Sequence, residues 1–304
     1  MRTGTFAASV TIAGLLAAPQ PVAAQAGATV FKPTGQWALD YGEDYCRLAR
    51  TFTDGKDDLA LAVERIEPGP MARLILVSNA IKPFRSADEI GWHFTPADAE
   101  RKARYTHSAT ADGKQYYNLG PIMLAPFAPA APGQPPAPPP PFDRGKEQAV
   151  AKAMTGFVLD NGLNTPVQVE TGDLSAPIGA LQACADDLAK SWGLDPAKLR
   201  TQSSAAMPVG GGVGWLPQGT VGFGDFGKLG GGSNQVRLMV DATGKATSCS
   251  IHWPTLDATT NDKICKTLLA SARFTPAKDA AGQPMPGYWV GSPLLMGPPL
   301  SGRR

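Results

Sequence analysis

The stretch from Pro121 to Pro141 is a proline–alanine segment that closes on Pro138-Pro139-Pro140-Pro141. Proline fixes φ and offers no N–H, so such a run favours extended polyproline II and supplies no packed core of its own. The domain it interrupts must therefore be assembled from pieces on either side, with residues 121–141 as an insertion loop.

Upstream, Trp37-Ala38-Leu39-Asp40-Tyr41-Gly42 and Cys46-Arg47-Leu48-Ala49-Arg50 are short strand-like pieces. Residues 59–64 and 72–77 form two more, separated by the turn chemistry of Pro68-Gly69-Pro70. Residues 90–94 and 115–119 extend the same sheet, which is expected to be antiparallel. Downstream, residues 146–159 read as a helix with Val150, Met154, Phe157 and Val158 on one side. A second helix runs from about Ala176 to Trp192, with Ser175 as N-cap and Pro177 in its first turn. Its apolar stripe is Ile178, Leu181, Cys184, Ala185, Leu188 and Trp192, and Gly193 and Pro196 stop it. A helix pinned across a sheet would close an N-terminal domain of residues 27–200.

Residues 201–233 are glycine-rich, with Gly210-Gly211-Gly212 and Gly230-Gly231-Gly232, and read as a linker. Next comes the alternating apolar run Val236-Arg237-Leu238-Met239-Val240, ending in a turn at Asp241-Ala242-Thr243-Gly244. A second strand covers 247–253. A helix follows, on which Ile264, Leu268 and Ala272 recur at i, i+4 and i+8. After Arg273-Phe274-Thr275-Pro276-Ala277 a last strand is expected within 287–296. The fold class is α+β: a β-rich N-terminal domain with a packed helix, then a small ββαβ domain over 234–304.

The first 26 residues have the pattern of a secretory signal peptide: Arg2, an apolar stretch over 6–18, and Ala24-Gln25-Ala26. These thirteen residues fall short of the roughly 20 that span a bilayer, and Pro19 and Pro21 break the helix beyond them. Export with cleavage before Gly27 is expected, with membrane contact only if the signal is retained as an anchor. Export places the four cysteines in an oxidising compartment, where three pairings are open. Locality favours Cys249 with Cys265, leaving Cys46 with Cys184. No C-x-x-C occurs and His93, His107 and His252 are far apart in sequence, so disulfides are favoured over a metal site.

Other chemistries find little support. A net charge of +2 with no dense Lys/Arg block gives no electrostatic footprint for nucleic acid or an acidic membrane. Gly224-Asp225-Phe226-Gly227-Lys228-Leu229 lacks the hydroxyl residue and the helix that a phosphate loop requires. No G-x-S-x-G elbow is present. The neighbours Asp57-Asp58 and Asp186-Asp187 point to different faces, as solvated positions do. His93, flanked by Trp92 and Phe94, reads as a strand histidine, and His252 as a strand or partner-facing one. No enzyme class, cofactor or metal site is indicated.

The C-terminal order, with Val236 to Gly244, Leu256-Asp257, Arg273-Phe274-Thr275-Pro276-Ala277, Gly282 and Pro284, resembles the C-terminal domain of the TonB family over roughly residues 205–296. The most specific part is the Arg273 to Ala277 motif at its distance from Asp241 and Gly244. That family's module is periplasmic and binds a short peptide near the N-terminus of an outer-membrane transporter, using its last strand as a pairing edge. The resemblance implies a periplasmic protein-binding function linked to transport, and a protein or extended-peptide partner. It places the binding edge at Tyr288, Trp289, Val290 and Leu294. Gly291 and Pro293 depart from a regular strand there. The arrangement Trp37, Cys46, Cys184, Trp192-Gly193 is similar to N-terminal regions of exported TonB-like proteins. The alternative function is a structural or scaffolding envelope protein with no transporter partner; an enzyme hosted by the N-terminal domain ranks third.

Overall fold

A computed structural model describes residues 27–96, 98–126, 142–229 and 232–296. The expected signal peptide and most of the proline-rich segment lie outside the described residues.

The N-terminal unit is built on β1 (Thr29–Pro33), β2 (Ala38–Tyr41), β3 (Cys46–Thr53), β4 (Asp58–Arg65) and β5 (Met71–Val77). It continues with β6 (Glu89–Thr95), β7 (Arg101–Arg104), β8 (Thr106–Ala109), β9 (Gln115–Met123), α1 (Arg144–Ala153), β10 (Gly156–Leu159), β11 (Val167–Val169), α2 (Ser175–Ser191) and α3 (Pro196–Thr201). One 11-stranded sheet runs β7-β6-β10-β11-β1-β3-β4-β5-β9-β8, with β2 also on β3. Its terminal strands β7 and β8 are separated in sequence by Tyr105 alone. The sheet therefore curves round until its two ends meet. Closure of this kind removes exposed edges.

Three expectations need correction. The sheet is not wholly antiparallel, because β1 pairs with β11 in parallel. The helix expected over 146–159 ends at Ala153, and Gly156-Phe157-Val158-Leu159 is strand β10, between β6 and β11. All four β10 residues are buried, and a continuous apolar run buried on both faces looks alike in helix and strand. Ser175 is the first helical residue of α2 rather than its cap; Asp173 Oδ1 accepts from the Ser175 N–H at 2.7 Å instead. The proline segment also begins later than expected. Pro121, Ile122 and Met123 belong to β9, where a register shift between Arg73 and Ile75 accommodates a residue with no N–H.

The second unit comprises β12 (Met207–Pro208), β13 (Gln235–Val240), β14 (Ala246–His252), α4 (Ala258–Ser271), β15 (Phe274–Thr275), β16 (Ala277–Lys278), β17 (Pro284–Met285), β18 (Gly287–Gly291) and α5 (Pro293–Met296). Its main sheet has the order β14-β13-β18, antiparallel throughout. Asp257 caps α4 by accepting from the Thr260 N–H at 2.9 Å. The stripe Ile264, Leu268 and Ala272 is fully buried against the sheet, and burying each of the two larger side chains contributes about 1.5–3 kcal/mol. The glycine-rich stretch read as a linker belongs to this core: Trp215, Leu216, Val221 and Leu229 are buried in it.

Both disulfides join a helix to a strand. Cys46 on β3 bonds Cys184 on α2, and Cys249 on β14 bonds Cys265 on α4. This is the pairing that locality favoured, and it fits an oxidising compartment. No described helix is long and apolar enough to cross a membrane.

Candidate functional site: the outer edge of β18 and the cleft beside it

Strand alternation assigns each backbone group of β18. Asp241 donates its N–H to the Lys245 carbonyl at 3.0 Å and the Met239 carbonyl accepts from Thr247 Oγ1 at 3.3 Å, so the backbone groups of Met239 and Asp241 face β14. Hydrogen-bonded and open pairs alternate along an antiparallel ladder. Arg237 therefore also bonds towards β14, while Val236, Leu238 and Val240 bond towards β18, opposite Gly291, Trp289 and Gly287. The N–H and C=O groups of Tyr288 and Val290 are left pointing to the outer edge. Among the described residues no strand pairs with that edge.

The side chains alternate in the other sense. Trp289 turns into the second core, with ring centroids 5.8 Å from Trp215 and 5.9 Å from Phe274. Its ring folds back over Gly291, where a Cβ would lie 2.1 Å from it. Gly291 thus accommodates the tryptophan rather than merely weakening the strand. Tyr288 faces the N-terminal unit, with its ring 5.5 Å from Trp192. Leu294 lies past the strand: Pro293 starts the short helix α5 there, in keeping with its fixed φ and missing donor.

The sheet face opposite α4 is docked on the N-terminal unit. Arg237 lies over the Trp192 ring at 4.1 Å, donates to Asp44 at 3.2 Å and donates to His252 Nε2 at 3.2 Å. Burial, together with the adjacent Arg237 cation, pushes the His252 imidazole down to about 4, against the opposing pull of Asp44. Desolvation likewise lowers the Arg237 guanidinium. Arg73 on β5 sits 3.7 Å over the Trp253 ring, whose residue has a φ of 46°.

Two cavities flank the junction. The larger, about 560 Å³, lies between the loop over 67–71, α3 and the edge of β18. The smaller, about 300 Å³, lies on the Trp253 side. Glu67, Met71 and Val290 line both. Glu67 is only half-buried by accessible area, yet enough protein surrounds it that desolvation raises its carboxyl to about 7, Arg65 opposing. Among the described residues no hydrogen bond or ion pair engages that carboxylate. Tyr288 Oη and Glu67 Cδ both lie just under 4 Å (3.8 and 3.9 Å) from where a Cβ on Gly69 would sit. Desolvation, reinforced by the Glu67 charge, raises the Tyr288 hydroxyl well above its ordinary value.

The remaining candidates do not converge. Asp186 is held by Arg144 and Arg200, and Asp187 by Lys190. His93 lies 3.7 Å from Asp160, and His107 stacks on Tyr117. Among the described residues no group of three or more His, Cys, Asp or Glu side chains is placed to hold a metal ion. Sequence reading missed Glu67, Asp44 and Arg73; no motif marks any of them, and only the apposition of the two units gives each a role. Comparison with protein-family models, with curated proteins and with solved structures finds no match for this chain.

Proposed function

We propose that this chain is an exported, periplasmic protein-binding module that takes an extended segment of a partner along the outer edge of β18, as the TonB family's C-terminal domain does in transport across the outer membrane. The observation that carries the reading is the outward set of Tyr288 and Val290 backbone groups, bordered by a cleft and paired with no strand among the described residues. Unpaired strand groups are a template for β-augmentation, in which main-chain hydrogen bonds supply affinity and flanking pockets supply selectivity. Val290 is itself a pairing position, since its N–H turns away from β13 to the outer edge.

A structural or scaffolding role in the envelope is the second reading. It draws on the face of the β13 sheet already docked through Arg237, Asp44 and Trp192. Titrating the chain from Gly27 onward with short peptides from near the N-termini of outer-membrane transporters separates the two. Saturable binding is expected; no binding even at millimolar peptide would leave the scaffold.

A further inference from the structure

The cleft has a chemical asymmetry that an edge-bound strand would meet. Its walls include the apolar side chains of Met71, Met123, Phe142 and Leu199. Asp186 within it is shared by two guanidinium groups, those of Arg144 and Arg200. Arg65, behind the 67–71 loop, is spent on a buried pair with Glu147, which also accepts from Gln182 at 2.8 Å. On the smaller cavity's side Glu64 faces Arg47 and Arg73. Glu67 is the carboxylate left over. It stands where the two cavities meet, beside Val290 on the open strand.

We propose that this cleft takes a lysine or arginine side chain of the edge-bound peptide, with its aliphatic stem on the apolar walls and its cationic head at the Glu67 carboxylate. The inference rests on the edge-binding reading and adds to it the side chain that is selected. Long basic side chains suit such a place because the stem is apolar and only the tip is charged. The raised Glu67 carboxyl gives the pairing a pH dependence. Below about pH 7 the group is increasingly protonated and offers a cation little; above it the charge is present. Tyr288, raised away from neutrality, does not titrate in that window.

The test uses two N-acetylated, C-amidated heptapeptides of alternating threonine and valine, one with lysine at the centre and one with norleucine. A charge-assisted contact predicts that the lysine peptide binds about tenfold tighter at about pH 8. That preference should fade as the pH drops below about 7, and Glu67→Gln should abolish it while norleucine-peptide binding persists. Should Glu67→Gln fail to fold, the pH dependence of the preference in the parent chain decides. Equal binding of the two peptides by the parent overturns the Glu67 inference and leaves edge binding standing. Main-chain pairing tolerates sequence, so failure of both peptides to bind overturns the edge reading as well. Binding that appears only after removal of residues 127–141, whose flanks Met123 and Phe142 line the cleft, would assign the cleft to the chain's own segment and overturn the inference.

Discussion

Gly244 explains why its turn and the distant Arg273 to Ala277 motif go together. With a φ of 84° it lies under the Phe274 carbonyl, and a Cβ would come within 2.0 Å of that oxygen. Phe274 in turn donates its N–H to the Gly244 carbonyl at 2.9 Å. Gly282 has a similar φ of 77° but nothing within 4 Å. Gly282→Ala should therefore cost about 1–2 kcal/mol, the price of a left-handed alanine. Gly244→Ala should cost clearly more, because backbone must move as well; comparing the two by chemical denaturation checks this. His252 gives a second expectation. Its folded pKa, about 4, lies below the ordinary 6.5, so the fold prefers the neutral ring. Its contribution is fully present above about pH 6.5 and is lost as the pH falls towards about 4. Stability measured across that range should drop less steeply in His252→Gln than in the parent.

Among the elements, β18 is the one on which function turns. Val290→Pro removes an N–H that faces the outer edge, where proline is tolerated, and leaves the ladder to β13 intact. The variant should keep the parent's melting temperature and lose peptide binding; loss of the second unit's packing would contradict the assigned backbone directions. Most strands were legible because apolar alternation and Pro/Gly turns bound them, as at Pro68-Gly69-Pro70. The end of α1 was not, since Phe157 and Val158 fit a helix face as well as a buried strand. The glycine-rich stretch concealed a core contribution, because Trp215 and Leu216 sit among residues that otherwise signal a linker. Edge residues Tyr288, Trp289 and Val290 were legible through the motif, but their division into core, interface and backbone roles required the register.

At the scale of the whole molecule, two bridged units meet face to edge. The Cys249–Cys265 bridge spans 16 residues, and a loop of that size contributes about 3 kcal/mol in the chain-entropy model. Replacing both cysteines by serine should lower the melting temperature of the second unit and leave the Cys46–Cys184 unit folded, as near-ultraviolet circular dichroism and limited proteolysis would show. The meeting of the units was not legible, because the contacts of Asp44 with Arg237, of Trp192 with Tyr288 and of Arg73 with Trp253 join segments far apart in sequence. The central claim is that the outer edge of β18 is open and pairs with a partner's backbone. Residue-resolved amide hydrogen exchange, with and without a saturating extended peptide, tests it most directly. Slow exchange is expected at Trp289 and Gly291 in the free chain, fast exchange at Tyr288 and Val290, and protection of the latter two when peptide is added. Protection of Tyr288 and Val290 in the free chain, or peptide binding that leaves their exchange unchanged, would contradict it.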